Sequence, residues 1–220
     1  MSAFYTLGKA FCQFVRFQCV RAVVLHPERA EEAGGYVLAC THLSHLEPAV
    51  VATLVRRKID WMSRIEFFKY RVLSAALYAM DAFPVNRQGV PVRAIRTAIE
   101  RVRMGRIVGI FPEGGVTPWR DSVMRGGPIK KGACVVAYRA GAPVLPVVVL
   151  GCDKLNRVGP WLPFKRARVW LSYGKMIHPK LDEPRRRVAR DLMAQELQAE
   201  YQALYRELCA SCGIEDGEVA

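Results

Sequence analysis

Long uncharged apolar runs are missing from this chain. The most apolar amino-terminal stretch, residues 3–25, is broken by Lys9, Arg16 and Arg21. A helix crossing a bilayer needs about 20 predominantly apolar residues in succession, so no transmembrane helix is expected. A secretory leader is not expected either, since it would carry its charge ahead of the apolar run and end on small residues. Zinc-finger spacing, an RNA-binding aromatic signature and a basic arm are all lacking, which leaves no nucleic-acid partner. There is no internal repeat and no low-complexity segment.

Acidic residues are in the minority. Against 33 Lys+Arg stand 20 Asp+Glu, a formal net charge of +13, so the expected partner is anionic: a membrane surface or a phosphorylated small molecule. A disulfide framework is absent too. The cysteines fall at 12, 19, 40, 134, 152, 209 and 212, an odd number in mostly apolar surroundings, which predicts buried thiols in a reducing compartment. Cys209 and Cys212 form a C-x-x-C pair, but it closes a helical pattern with no second pair to complete a zinc site.

What is present suits one core. At 220 residues and 51% hydrophobic, the chain is too short for two generous domains. Strand-like and helical patterns alternate, predicting an α/β single-domain layered fold with a mixed, largely parallel sheet flanked by helices. Strands are expected at 36–40, 59–63, 82–85, 106–111, 143–150 and 168–173, and helices at 48–57, 66–80, 91–104 and 129–139. Asp182-Glu-Pro184 opens a long amphipathic carboxy-terminal helix reaching about Cys209. At the other end Phe4, Leu7, Phe11, Phe14, Val15 and Gln18 recur near helical spacing with cations between them. That pattern fits an amphipathic helix lying in the headgroup region, or one packed on the core with a charged exterior.

The densest chemistry lies in Thr41-His42-Leu43-Ser44-His45-Leu46-Glu47-Pro48, between a strand and a helix. A carboxylate bonded to one ring nitrogen of His42 fixes the tautomer and frees the other nitrogen to take a proton from a hydroxyl and return it to a leaving group. Such a dyad needs no protein nucleophile. Ser44-x-x-Glu47 equally satisfies a capping box for the following helix, and His45 competes with His42 for the role. The second signal is Phe111-Pro-Glu-Gly-Gly115, a Gly-rich turn after a buried strand whose amides suit an anion and whose Glu113 suits a polyol hydroxyl.

Taken in order, the His42–Glu47 pairing, Phe83-Pro-Val-Asn-Arg87, Phe111-Pro-Glu-Gly-Gly115 and Ala142-Pro-Val-Leu-Pro-Val147 resemble the four blocks of the glycerophosphate and lysophosphatidic acid acyltransferases. Ile129-Lys130-Lys131-Gly132-Ala133 resembles the Lys-Gly segment before the fourth block, and the likeness covers roughly residues 35–150. The resemblance implies transfer of a fatty acyl group from an acyl-CoA or acyl-carrier-protein thioester to a lysophospholipid hydroxyl, without metal or bound cofactor. It implies His42 as general base, Glu47 as its orienter and Arg87 on the acceptor phosphate. Glu113, Gly114 and Gly115 would line the acceptor site, and Pro146 would shape the acyl pocket.

Three departures stand out. Glu47 replaces the usual Asp, Thr41 the frequent Asn, and Gly115-Val116-Thr117 the usual Thr-Arg-Ser, which removes a cation expected at the acceptor phosphate. Arg120, Lys130 or Lys131 would have to supply it, or the acceptor is another lipid, sugar or natural-product hydroxyl. Lysophosphatidic acid is the default. The Glu variant also resembles acyltransferases that complete lipid A. Basic clusters at Arg56-Arg57-Lys58, Lys165-Arg166 with Arg168, and Arg185-Arg186-Arg187 suit anionic lipid or coenzyme A phosphates. The expected layout is a membrane-surface segment over 1–30, an acyltransferase domain over 31–210 and a flexible tail over 211–220. The protein is expected as a peripheral, monotopic enzyme on the cytoplasmic face of a membrane.

Overall fold

A computed structural model describes residues 3–89, 91–156 and 167–215. Its centre is a seven-stranded sheet in the order β1-β7-β6-β2-β5-β3-β4. These strands are β1 (Val20–Leu25), β2 (Tyr36–Cys40), β3 (Ile59–Arg64), β4 (Phe83–Val85), β5 (Ile107–Ile110), β6 (Val144–Leu150) and β7 (Ala167–Tyr173). Every pairing is parallel except β6 with β7. The mixed, mostly parallel sheet expected from the sequence is therefore the one observed.

Among the described residues six α-helices accompany it: α1 (Ala3–Cys19), α2 (Glu47–Leu54), α3 (Arg71–Ala79), α4 (Val92–Arg103), α5 (Gly132–Ala140) and α6 (Arg186–Cys212). Successive side chains of a strand point to opposite faces, so each central strand feeds two cores. Val37 and Ala39 of β2 join the core under α4, α5 and α6, while Tyr36, Leu38 and Cys40 join the one under α1 and α2. Burial on both faces explains why β2 and β6 read as continuous apolar runs rather than alternating ones.

The long helix crosses one face of the sheet. Ala189, Met193, Leu197, Tyr201, Leu204 and Leu208 recur every three or four residues and are all buried. Tyr201 donates its hydroxyl to Ala39 O at 2.8 Å, just below the strand end that carries His42. Gly213 ends α6 in the left-handed conformation, and Ile214 beyond it is buried, so chain within the 211–220 segment packs on the core. Residues 216–220 lie outside the described residues, as does the Lys165-Arg166 pair.

Several boundaries differ from expectation. The helix expected over 66–80 is a 3-10 turn at Ile65–Lys69 followed by α3, broken where Tyr70 is extended. The helix expected from Ile129 starts at Gly132, since Lys130 N donates to Pro112 O instead. Strand β1 was not anticipated at all, and it falls inside the 1–30 segment. It pairs with β7 at the sheet edge, where partial exposure of Val23 and charge at Arg21 obscure a strand pattern. Helix α1 buries Tyr5 and Cys19 yet leaves Leu7, Phe11, Phe14 and Phe17 exposed, so it both docks on the core and presents an apolar face.

Candidate active site

Strands β2 and β5 are parallel neighbours, so their carboxyl ends deliver residues 41–47 and 111–116 side by side. That is the end where open α/β sheets place their chemistry. Thr41 anchors the first loop: its N–H donates to Val147 O at 3.0 Å, and its Oγ1 accepts from Val149 N at 3.0 Å. His42 then meets Glu47. Nδ1 lies 2.8 Å from Glu47 Oε2, and Glu47 Oε1 accepts the N–H of Leu43 at 2.9 Å. Glu47 is fully buried at the first position of α2. A five-residue spacing across the turn lets the carboxylate fold back onto the ring.

Half of the capping box forms, since the Glu47 carboxylate accepts the Ser44 amide as well as that of Leu43. Leu46 occupies the helix N-cap, and Ser44 Oγ accepts from Leu46 N at 3.2 Å. Glu47 holds those two amides and the imidazole together. His45 is exposed, 6.3 Å from His42 ring to ring and edge-on. It has no carboxylate partner among the described residues, so of the two histidines in this loop His42 has the dyad geometry.

One face of the imidazole is fixed by stacking. Phe111 lies 3.9 Å from the His42 ring centroid at 19°, and Trp61 stacks on Phe111 at 5.0 Å. Gly109 makes the row possible: a Cβ there would come within 2.3 Å of the Trp61 indole. Burial, then the His45 and Arg87 charges, lowers the His42 pKa to about 4. Burial raises that of Glu47, opposed by the amides of Leu43 and Ser44. The imidazole is therefore neutral near pH 7, with Nδ1–H directed at Glu47 and the lone pair on Nε2.

Glu113 differs from expectation. Its Oε2 accepts the N–H of His42 at 2.5 Å, and its Oε1 accepts Ser122 Oγ at 2.7 Å and Val123 N at 3.1 Å. Both oxygens are occupied and the side chain is buried, so Glu113 braces the His42 loop, and it borders neither of the two cavities beside the dyad. Thr117 N completes the brace by donating to His42 O at 2.8 Å.

Two cavities open beside the dyad. A small one of about 90 Å³ is bordered by His42, His45, Arg64, Arg87, Gly115 and Val116. A larger one of about 470 Å³ has apolar walls including Val85, Ile95 and Val135, with Arg87, Lys130 and Lys131 at its rim. Met62, Arg87 and Phe111 belong to both, so the two adjoin. Gly114 lies in the larger with φ of 78°, its hydrogen facing the Lys130 ammonium. Lys131 is partly spent on Asp191, 2.8 Å away.

Two further expectations do not match the geometry. Arg120 is 86% exposed with Asp121 beside it, and it borders neither cavity. Pro146 is buried within β6, paired to Ala39 with its carbonyl taken by Gly174 N, and it also borders neither. Its place in the sheet interior explains this. Conversely, Arg64 went unnoticed in the sequence. It ends β3, paired there with Val85 of the parallel β4, and faces the same cavity as His42, together with Arg87, whose pKa burial and then the Arg64 charge lower. Two guanidiniums sharing a cavity with a neutral imidazole suit an anionic group. Among the described residues no cluster of three or more His, Cys, Asp or Glu could hold a metal ion.

Residues 21–150 match the family model described as Acyltransferase. The chain is 29% identical over 156 residues to a 1-acyl-sn-glycerol-3-phosphate acyltransferase of Bacillus subtilis, covering 70% of this chain and 73% of that one. It is 30% identical over 125 residues to the chloroplastic 1-acyl-sn-glycerol-3-phosphate acyltransferase BAT2 of Brassica napus, covering 56% of this chain and 35% of that one. The crystal structure of the 1-acyl-sn-glycerophosphate acyltransferase PlsC from Thermotoga maritima superimposes with a TM-score of 0.66 at 20% identity, over 93% of this chain and 78% of that one. At that identity the superposition speaks to the fold.

Proposed function

The chain belongs to the acyltransferase family, and on that premise we propose that it esterifies a lysophospholipid hydroxyl with a fatty acyl group taken from a thioester. Lysophosphatidic acid is the acceptor and phosphatidic acid the product. The observation that carries this reading is the buried His42–Glu47 pair opening onto a cavity shared with Arg64 and Arg87.

The mechanism follows from that geometry. The acceptor's phosphate sits against Arg64 and Arg87, which holds its free hydroxyl near His42. Nε2 of the neutral imidazole takes the hydroxyl proton as the oxygen attacks the thioester carbonyl, and Glu47 stabilises the imidazolium that forms. The tetrahedral oxyanion is met by backbone amides of Gly115 and Val116, which border the cavity. Collapse breaks the carbon–sulfur bond, and the imidazolium returns its proton to the departing thiolate. The products are an ester and a free thiol, with the dyad restored.

The altered third block does not remove the anion site. Arg64 supplies from β3 the cation that Gly115-Val116-Thr117 lacks, which favours a phosphorylated acceptor over a neutral sugar or natural product. The larger cavity, apolar-walled with cations at its rim, suits an amphiphile. Among the described residues no helix is long and apolar enough to cross a membrane. The exposed Leu7, Phe11, Phe14 and Phe17 of α1 support a peripheral attachment to a membrane, and the free thiols suit its cytoplasmic face.

The test is thiol release from palmitoyl-CoA, and from palmitoyl-acyl-carrier protein, with lysophosphatidic acid in vesicles. Release that needs the acceptor and falls by about two to four orders of magnitude in His42→Ala is expected. Near-normal release in that variant would overturn the dyad. Release with a neutral acceptor alone would overturn the choice of substrate.

A further inference from the structure

A second basic cavity lies at the far end of the helices from His42. Arg103 ends α4, Tyr138 and Arg139 lie in the last turn of α5, and Arg186 and Arg190 occupy the first turns of α6. These five residues line an open cavity of about 410 Å³. Arg103 donates to Arg139 O at 2.6 Å, and Arg190 Nε to Arg186 O at 2.9 Å, which leaves each guanidinium further N–H groups to offer. Among the described residues none of the four forms an ion pair with a carboxylate. The carboxylate beside Arg190, Asp191, is bonded to Lys131.

Helix electrostatics sharpen the point. Arg103 and Arg139 sit at helix carboxyl ends, where a cation is favourable. Arg186 and Arg190 sit at the amino-terminal end of a 27-residue helix with no acid in its first turn, where a cation is unfavourable. Four like charges around one cavity add mutual repulsion. An anion with several charges relieves both effects, and guanidiniums match phosphate with paired hydrogen bonds. Tyr138, half-buried against the core, adds a flat aromatic wall.

The position relative to the dyad narrows the ligand. Lys131, Gly132 and Val135 of α5 border the larger cavity beside Arg87, and Tyr138 and Arg139 of the same helix border the arginine cavity. From Lys131 to Arg139 the helix rises about 12 Å. We propose that the cavity formed by Arg103, Arg139, Arg186 and Arg190 binds the phosphorylated nucleotide head of a coenzyme A thioester. The phosphates meet the guanidiniums, the base lies on Tyr138, and the extended pantetheine arm runs along α5 toward His42. This rests on the acyl-transfer reading and adds the class of donor. A concave cavity with an aromatic wall suits a small nucleotide better than the convex surface of an acidic carrier protein.

Two measurements on the full chain test it. Equilibrium dialysis of 3′,5′-adenosine bisphosphate reads the cavity without turnover: saturable binding that weakens about tenfold or more in Arg139→Ala/Arg190→Ala is expected. Kinetics then compare palmitoyl-CoA with palmitoyl-pantetheine, which lacks the head. In the double variant the KM for palmitoyl-CoA should rise about tenfold at unchanged kcat, while palmitoyl-pantetheine is unaffected. Arg186→Glu, on an exposed side chain, repeats both tests should the double variant lose its fold. Absent or arginine-independent nucleotide binding overturns the proposal, as does a KM change confined to palmitoyl-acyl-carrier protein. A chain that binds the nucleotide through these arginines but turns over no thioester keeps the site and overturns the acyl-transfer reading instead.

Discussion

Glu113 Oε2 accepts the backbone N–H of His42 at 2.5 Å, tying the loop after β5 to the loop after β2. The contact joins two sequence blocks 71 residues apart and gives the second a purpose its composition does not suggest. Glu113 is a positioning residue: it acts through His42.

Glu113→Gln turns an amide NH₂ toward either the His42 N–H or the Ser122 and Val123 donors, leaving a buried donor unpaired at a cost of about 1–3 kcal/mol. Expected are a lower thermal midpoint and a roughly tenfold lower kcat, with the acceptor KM almost unchanged. A large rise in acceptor KM at constant kcat would show instead that Glu113 touches substrate.

Arg64→Ala should raise the KM for lysophosphatidic acid about tenfold, the worth of one hydrogen bond to a charged group, and leave the fold intact because the side chain is half exposed. Steady-state kinetics at fixed donor concentration read this. An unchanged KM would remove Arg64 from the acceptor site.

The depressed pKa of His42 sets the pH profile. The imidazole acts as a base only when neutral, so kcat/KM should hold as pH falls through 6.5 and decline only near about 4, where the ring takes up its proton. Arg87→Ala removes one of the charges disfavouring the imidazolium and should move that limb upward. An acid limb already at 6.5 in the unaltered protein would contradict the buried, neutral ring.

Glu47→Gln keeps the volume and loses the charge that stabilises the imidazolium, so a fall in kcat of roughly two orders of magnitude is expected, smaller than for His42→Ala. Glu47→Asp shortens the reach to Nδ1. Comparing the two variants in the thiol-release assay separates charge from distance, and equal activity of Gln and Glu would exclude an electrostatic role.

Phe11 and Phe14 are each more than 60% exposed on α1. Phe11→Asp with Phe14→Asp should release the protein from anionic vesicles in a sedimentation assay while leaving turnover of a soluble short-chain acceptor intact. Unchanged sedimentation would assign membrane attachment to another surface.

The dyad was legible because its two members are close in sequence. A turn between a strand and a helix confines His42 and Glu47 to one neighbourhood whatever the rest of the chain does. The same holds for the central strands, whose burial on both faces writes an unbroken apolar run. Glu113, Arg64 and Pro146 were not legible in this way. Each is decided by which strands become neighbours: the parallel pairing of β2 with β5 turns Glu113 onto the His42 amide, the place of β3 between β5 and β4 brings Arg64 into the site, and the central place of β6 takes Pro146 out of it. Edge strand β1 was hidden for a related reason, since only its pairing with β7 separates it from the apolar helix before it. Local patterning thus determined the elements and the reacting pair, while long-range strand pairing decided which side chains surround that pair, because such contacts depend on register and sheet order rather than on residue type.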